Sequence, residues 1–205
     1  GKAKNDRIDS KKIALLLQGG MFPLAYVYPK EKRALRDLLR RRLHFVRLRG
    51  ELFAHVQIVN YQNNNSPLPR LGNNKSIRDD VPNLFENETT RKIVESDLDL
   101  IKYYDEFIPK LEWHIFSKTT QLYQKELAIL SSARGMGRII ALTILFEVDS
   151  IDRFPSVQDF ASYARVVKCT HESAGKNYGT GGAKIGNPYL KYVFSEAACL
   201  MAKYN

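Results

Sequence analysis

The sequence predicts a mainly α fold, with a long antiparallel coiled coil followed by a compact helical domain that contains a helix-hairpin-helix. Three observations point there. Two stretches, from Pro29 to about Tyr61 and from about Glu88 to Leu130, keep helical positions at alternating spacings of three and four. Residues 62–85 between them are rich in Asn, Pro, Ser and Gly, the composition of a loop or an ordered hairpin tip. Farther on, Arg134-Gly135-Met136-Gly137-Arg138-Ile139-Ile140-Ala141 places two glycines between apolar runs, as a tight turn between helices requires.

Taken in order, Arg7 to Gln18 reads as a short helix with Ile8, Ile13, Ala14, Leu16 and Leu17 available for one face, stopped by Gly19-Gly20. Tyr26-Val27-Tyr28 before Pro29 reads as extended. The first long helix carries Leu35, Leu38, Arg42, Phe45, Arg49, Leu52, Val56 and Val59 on one stripe. The second carries Val94, Asp97, Ile101, Tyr104, Ile108, Leu111, Ile115, Lys118 and Leu122, with Pro109 expected to kink it. The same periodicity suits an ordinary bundle core, so coiled coil and bundle are both open at this point. Phe154-Pro155-Ser156 reads as a loop whose Ser156 caps a helix over Val157 to Tyr163.

The chain has 205 residues, 44% of them hydrophobic and 26% charged, which suits a folded protein with a real core and excludes wholesale disorder. Its formal net charge of +10 favours polyanionic partners such as nucleic acid or an anionic membrane face. The charge alternates along the chain. Lys30 to Gly50 is strongly basic, Asp79 to Glu112 is acidic, and the C-terminal part is basic again. The basic face that includes Arg40, Arg41 and Arg42 therefore has two readings: a nucleic-acid surface, or internal pairing with the acidic helix. The longest apolar run, Ile139 to Val148, is interrupted by Thr143 and Glu147 and falls short of the roughly 20 residues of a membrane span. The polar start, Gly1 to Asp6, lacks the apolar core of a secretory signal, which favours an intracellular location. Cys169, Cys199 and the scattered His44, His55, His114 and His171 form neither a disulfide framework nor a zinc pattern.

Two segments could carry chemistry. In the first, Gly135, Gly137 and Arg138 open a helix whose unpaired backbone N–H groups could meet a phosphate without sequence preference, although turn glycines also serve plain packing. The second, Ser173 to Asn187, is a glycine-rich loop between helical patterns, and it does not match the GxxxxGK[ST] nucleotide loop. Its lysines and backbone amides could surround a phosphate, and its first residue, Ser173, could be a nucleophile toward phosphorus or simply a turn residue.

Three blocks give the chain a family resemblance. Lys4-Asn5-Asp6-Arg7-Ile8-Asp9-Ser10 resembles K-x-D-R-x-D-[AS]. Arg134-Gly135-Met136-Gly137 through Glu147, with Ile151-x-Arg153-Phe154 and Ala161-Ser162-Tyr163-Ala164, forms the second block. Ser173-x-Gly175-Lys176, then Lys184-x-Gly186-Asn187-x-x-Leu190 and Glu196-Ala197-Ala198, forms the third. In order and spacing these resemble the insertion-sequence transposases that join an N-terminal RuvC-like domain with a DEDD carboxylate set to a C-terminal serine domain. That family includes the bridge-RNA-guided recombinases and the Piv-type DNA invertases. Arg134, Arg165 and Lys168 depart from residues common in the family.

The resemblance implies a domain order: residues 1–28 as the C-terminal remnant of the RuvC-like domain, 29–126 as a coiled-coil insert, and 127–205 as the helix-hairpin-helix and serine domain. It implies a DNA transposase or site-specific recombinase that cuts and rejoins strands, with Ser173 as nucleophile and Asp6 and Asp9 as catalytic carboxylates that bind Mg2+. Arg40, Arg41, Arg42, Gly135, Gly137, Arg138, Gly175, Lys176, Lys184 and Asn187 are the expected nucleic-acid contacts. DNA is the implied partner, a guide RNA is an open second one, and a dimer or tetramer would bring together metal and serine sites from different protomers. No membrane partner is expected, and the location is the prokaryotic cytoplasm, with the nucleoid. Because the first Asp and Glu of the set are not in the sequence, these 205 residues are expected to be a fragment, inactive alone. The alternatives are a non-catalytic nucleic-acid-binding or oligomerisation fragment and a structure-specific nuclease.

Overall fold

The structure is a computed structural model that describes residues 5–22, 25–72, 74–119, 122–167, 169–173, 176–181 and 186–203. It divides into two compact units, residues 1–30 and 31–205. The fold is mainly α, as the periodicity predicts.

The described part of the first unit is built around helix α1 (Asp6–Gln18). Asn5 caps it, its side-chain oxygen accepting the Ile8 N–H at 3.0 Å. The helix stops at Gly19, and Gly20 follows with φ +65°, a left-handed conformation that glycine adopts without strain. None of the α1 residues is buried.

In the second unit, α2 (Lys30–Gln62) and α4 (Glu88–Thr119) form the coiled-coil pair, and at 33 residues α2 is about 50 Å long. Their contacts show that they run antiparallel: Arg42 meets Glu112, Arg49 meets Asp105 and His55 meets Asp97, so partners fall along α4 as numbers rise along α2. The basic helix thus pairs with the acidic one at these positions, the internal-pairing alternative left open above. Apolar side chains fill the seam. Val56, Val59, Val94, Leu98 and Ile101 share one cluster near the tip, and Leu39 and Ile115 join another near the base.

The tip between the helices is ordered, holding a short helix α3 (Lys75–Arg78) and a 3-10 turn (Val81–Leu84). Leu71, Val81 and Phe85 are buried against the α2/α4 cluster, which anchors these parts of an otherwise polar segment.

The second long stretch is not one helix. It ends at Thr119, and a separate α5 (Gln124–Ser132) begins after Tyr123, correcting the expected span to Leu130. Tertiary packing decides this. The Tyr123 ring turns edge-on to Phe146, with centroids 5.4 Å apart, a contact that draws the chain out of the coiled-coil line. Helix α4 continues through Pro109.

Helix α6 (Arg138–Val148) is apolar almost all round and is buried accordingly, packing on α5, α8 and the base of the coiled coil. A 3-10 turn (Ile151–Arg153) and α7 (Val157–Tyr163) follow, and Ser156 caps α7 by accepting the Asp159 N–H at 3.2 Å, as the sequence predicts. The glycine-rich segment then departs from the loop expectation. Cys169–Ser173 (β1) and Lys176–Gly181 (β2) form an antiparallel hairpin with an irregularity between Thr170 and Glu172. Its Thr170, Tyr178 and Thr180 have strand propensity that the glycines mask in composition. Helix α8 (Pro188–Lys203) closes the unit.

Candidate functional site

The hairpin places Ser173 at the end of β1, in register with Lys176 at the start of β2, and Lys176 is exposed. Gly175 and Lys184, both expected to touch nucleic acid, lie outside the described residues.

The segment that carries the hairpin leaves α7 and returns into α8, and its two ends meet at a narrow neck. The Asn187 N–H donates to the Tyr163 carbonyl at 2.6 Å. Gly186 has φ +92°, and a Cβ there would lie 2.6 Å from the same carbonyl, so only glycine allows the ends to come this close. Asn187 is buried and caps α8, its Oδ1 accepting the N–H groups of Tyr189 (2.9 Å) and Leu190 (3.2 Å). Its Nδ2 donates to Glu147 Oε2 at 2.7 Å. The Glu147 side chain is only 2% exposed and also receives both Nε and Nη2 of Arg40, each at 2.6 Å. This bidentate pair raises the Arg40 pKa above its ordinary value, chiefly through the hydrogen bond to Glu147. The Arg40 guanidinium also lies 4.5 Å from the centroid of the Tyr189 ring. Arg40, Tyr163, Asn187 and Tyr189 line a cavity of about 640 Å³ at this neck.

A second cavity, of about 440 Å³, lies where the base of the coiled coil meets the start of α6. Arg42, Glu112, Gly137, Arg138 and Tyr192 are among its walls. Burial, followed by the charge of Glu196, pushes the Tyr192 hydroxyl up. Arg42 donates to Glu112 at 2.8 Å, whereas Arg41 is exposed with its guanidinium 4.7 Å from the Phe45 ring centroid.

The two turn glycines have different roles. Gly135, at φ +82°, sits against α8 so closely that a Cβ would be 2.6 Å from the Ala197 carbonyl and 2.8 Å from the Met201 nitrogen. It is a packing glycine. Gly137 has open space around it and stands at the start of α6 without a side-chain cap, next to the exposed Arg138, whose guanidinium lies 5.1 Å from the Phe116 ring centroid. The first N–H groups of α6 therefore face a region that an anion could reach.

Asp6 and Asp9 stand in the first turn of α1, Asp6 exposed and Asp9 half-buried. Capping is done by Asn5, so neither carboxylate is needed for it. At i and i+3 they share a face, and their oxygens suit a hard divalent cation, supplying two of the ligands such an ion needs. Among the described residues no group of three or more His, Cys, Asp or Glu is gathered to hold a metal. The aspartates belong to the first unit and Ser173 to the second.

Residue-by-residue reading did not single out Glu147 as a site residue. Its signal was a lone carboxylate inside the apolar run Ile139–Val148, which a buried helix tolerates only with partners.

Comparison with known proteins bears on the C-terminal part. Residues 127–205 match the family described as Transposase IS116/IS110/IS902 family. This portion, from within α5 to the end of α8 and including the hairpin, is similar to the transposases of that family. No curated protein matches the chain. Among the described residues, no helix is long and apolar enough to cross a membrane.

Proposed function

We propose that the protein is a DNA transposase or site-specific recombinase that cuts and rejoins strands through Ser173. The observation that carries this reading is the transposase match over residues 127–205, because that span contains Ser173 and Lys176 and the β1–β2 hairpin to which both belong. The Ser173 oxygen attacks a backbone phosphorus. An Oγ–P bond forms as the bond from phosphorus to one sugar oxygen breaks, and the serine proton ends on the departing sugar oxygen. Rejoining reverses the exchange with the hydroxyl of a second strand end. Asp6 and Asp9 would hold Mg2+, which when bound supplies charge neutralisation at the scissile phosphate.

Lys176, Arg138, Arg41 and the N–H groups that follow Gly137 serve as phosphate contacts in this reading, together with Gly175 and Lys184 of the same glycine-rich stretch of sequence. Arg40, Arg42 and Asn187 already bond Glu147 or Glu112, so in this reading any phosphate contact they make is shared with those carboxylates. Gly135 is taken up by α8. A homo-oligomer that completes the site between protomers, a guide RNA, and action on DNA in a prokaryotic cytoplasm belong to the same proposal.

Incubation of the full-length protein with Mg2+ and a labelled branched DNA is expected to give a covalent protein–DNA adduct that survives denaturation and is lost in Ser173→Ala. An undiminished adduct in that variant sinks the serine assignment. Strand cleavage without an adduct points to a nuclease. Binding with neither points to a non-catalytic nucleic-acid-binding role.

A further inference from the structure

The neck of the hairpin segment is unusual in where its polar groups come from. Both ends of the segment are fixed at Tyr163 and Asn187, yet the group that fixes Asn187 lies forty positions away on α6, and that group is in turn held by Arg40 on α2. A carboxylate only accepts hydrogen bonds, so Glu147 can face Asn187 in one way, by receiving its NH2 group. That choice orients the whole amide. With Nδ2 on Glu147, Oδ1 points to the N–H groups of Tyr189 and Leu190 and caps α8. Arg40 removes the remaining freedom, since its two donors occupy one oxygen each.

Stability alone does not require this arrangement. A buried ion pair contributes little net stability compared with apolar residues of the same shape, and in some proteins such pairs serve instead to specify geometry. Here the geometry is specified at Tyr163 and Asn187, the residues that flank the segment carrying β1 and β2.

We infer that Glu147, held by Arg40, is a positioning residue for Ser173: through the Asn187 amide it fixes the neck from which the serine hairpin projects. The inference rests on the reading of Ser173 as nucleophile. The role is indirect, because Glu147 is buried and its carboxylate is engaged by Arg40 and Asn187.

Two variants test it. Glu147→Gln leaves one carbonyl oxygen to serve both Arg40 and Asn187. Asn187→Ser keeps an N-cap oxygen for α8 but shortens the side chain that reaches Glu147. In both, the rate of adduct formation at saturating branched DNA is expected to fall by about 10- to 100-fold, the effect of a small misplacement of a reacting group. The Kd of Glu147→Gln for the same DNA should stay within about twofold, since Lys176, Arg138 and Arg41 are untouched. Amide hydrogen exchange of 169–173 and 176–181 should speed up while α2 and α4 keep their protection, a local change that general destabilisation does not produce. Arg40→Lys, which keeps the charge with a single donor group, should fall between wild type and Glu147→Gln. A full-length wild-type protein that forms no Ser173 adduct overturns the nucleophile reading and this inference with it. A wild-type adduct with Glu147→Gln and Asn187→Ser as fast as wild type overturns the inference alone, as does a loss that tracks Kd or a uniform rise in exchange.

Discussion

Arg78 in the tip and Asp105 on α4 are joined by a 2.6 Å hydrogen bond between Nη1 and Oδ2, and Arg49 of α2 takes the other oxygen of the same carboxylate at 2.7 Å. One side chain therefore ties both long helices to the segment that connects them. Arg78 is itself 7% exposed and spends its other donors on the Leu71 and Gly72 carbonyls, so the tip is fastened through backbone as well as charge.

Asp105→Asn is expected to loosen this end of the coiled coil. It leaves the buried Arg78 short of a counter-charge, a loss of about 3 kcal/mol, or on the order of 6–12 °C in Tm for a chain of this size. The pH dependence has a definite sign. Burial by itself would raise the Asp105 carboxyl, but the hydrogen bond and charge of Arg78, with Arg49 and Lys75, hold it below the usual carboxylate range. Its stabilisation is therefore full above about pH 4 and is lost as pH falls through the depressed value. Thermal melts of wild type and variant from neutral pH downward should converge at the acid end, and a gap that widens there would contradict the assignment.

The two glycines of the α5–α6 turn should respond in opposite ways. Gly135→Ala forces a Cβ onto the α8 backbone from a left-handed conformation, and a loss of about 2 kcal/mol or more is expected. Gly137→Ala meets open space and loses only the N-cap preference of glycine over alanine, about 0.5–1 kcal/mol. Denaturant titration of both variants checks this, and equal losses would place the close approach elsewhere.

Arg41 and Arg42 adjoin in sequence but divide two roles. Replacing the exposed Arg41 with Ala should lower the slope of log K against log salt by about one while leaving Tm unchanged. Arg42→Ala should cost about 1 kcal/mol of stability through its loss of Glu112, with little change in salt slope. Filter binding across a salt series separates them. An unchanged slope in the Arg41 variant removes Arg41 from the nucleic-acid surface.

Much of the fold was legible because helical periodicity and capping are local signals. The span of α2, the Asn/Pro/Gly-rich connection and the Ser156 cap of α7 all follow from residues within a few positions of one another. The break after Thr119 and the β1–β2 hairpin were not legible. One depends on Tyr123 meeting Phe146, and in the other glycines obscure short strands. At the candidate site, the sequence pointed to Ser173 and its lysines through family resemblance, and it left the arginines of α2 with two readings.

By itself, then, the sequence determined the helical architecture, the alternation of charge and the glycine-rich serine segment, because these depend on residue type and spacing along the chain. Only the tertiary structure decided which charges face each other. Arg40 and Glu147 are 107 positions apart, and nothing local to either predicts that they meet. Their pairing exists because burying the apolar α6 carries its one carboxylate into the interior, where only a partner brought by another helix makes that burial tolerable.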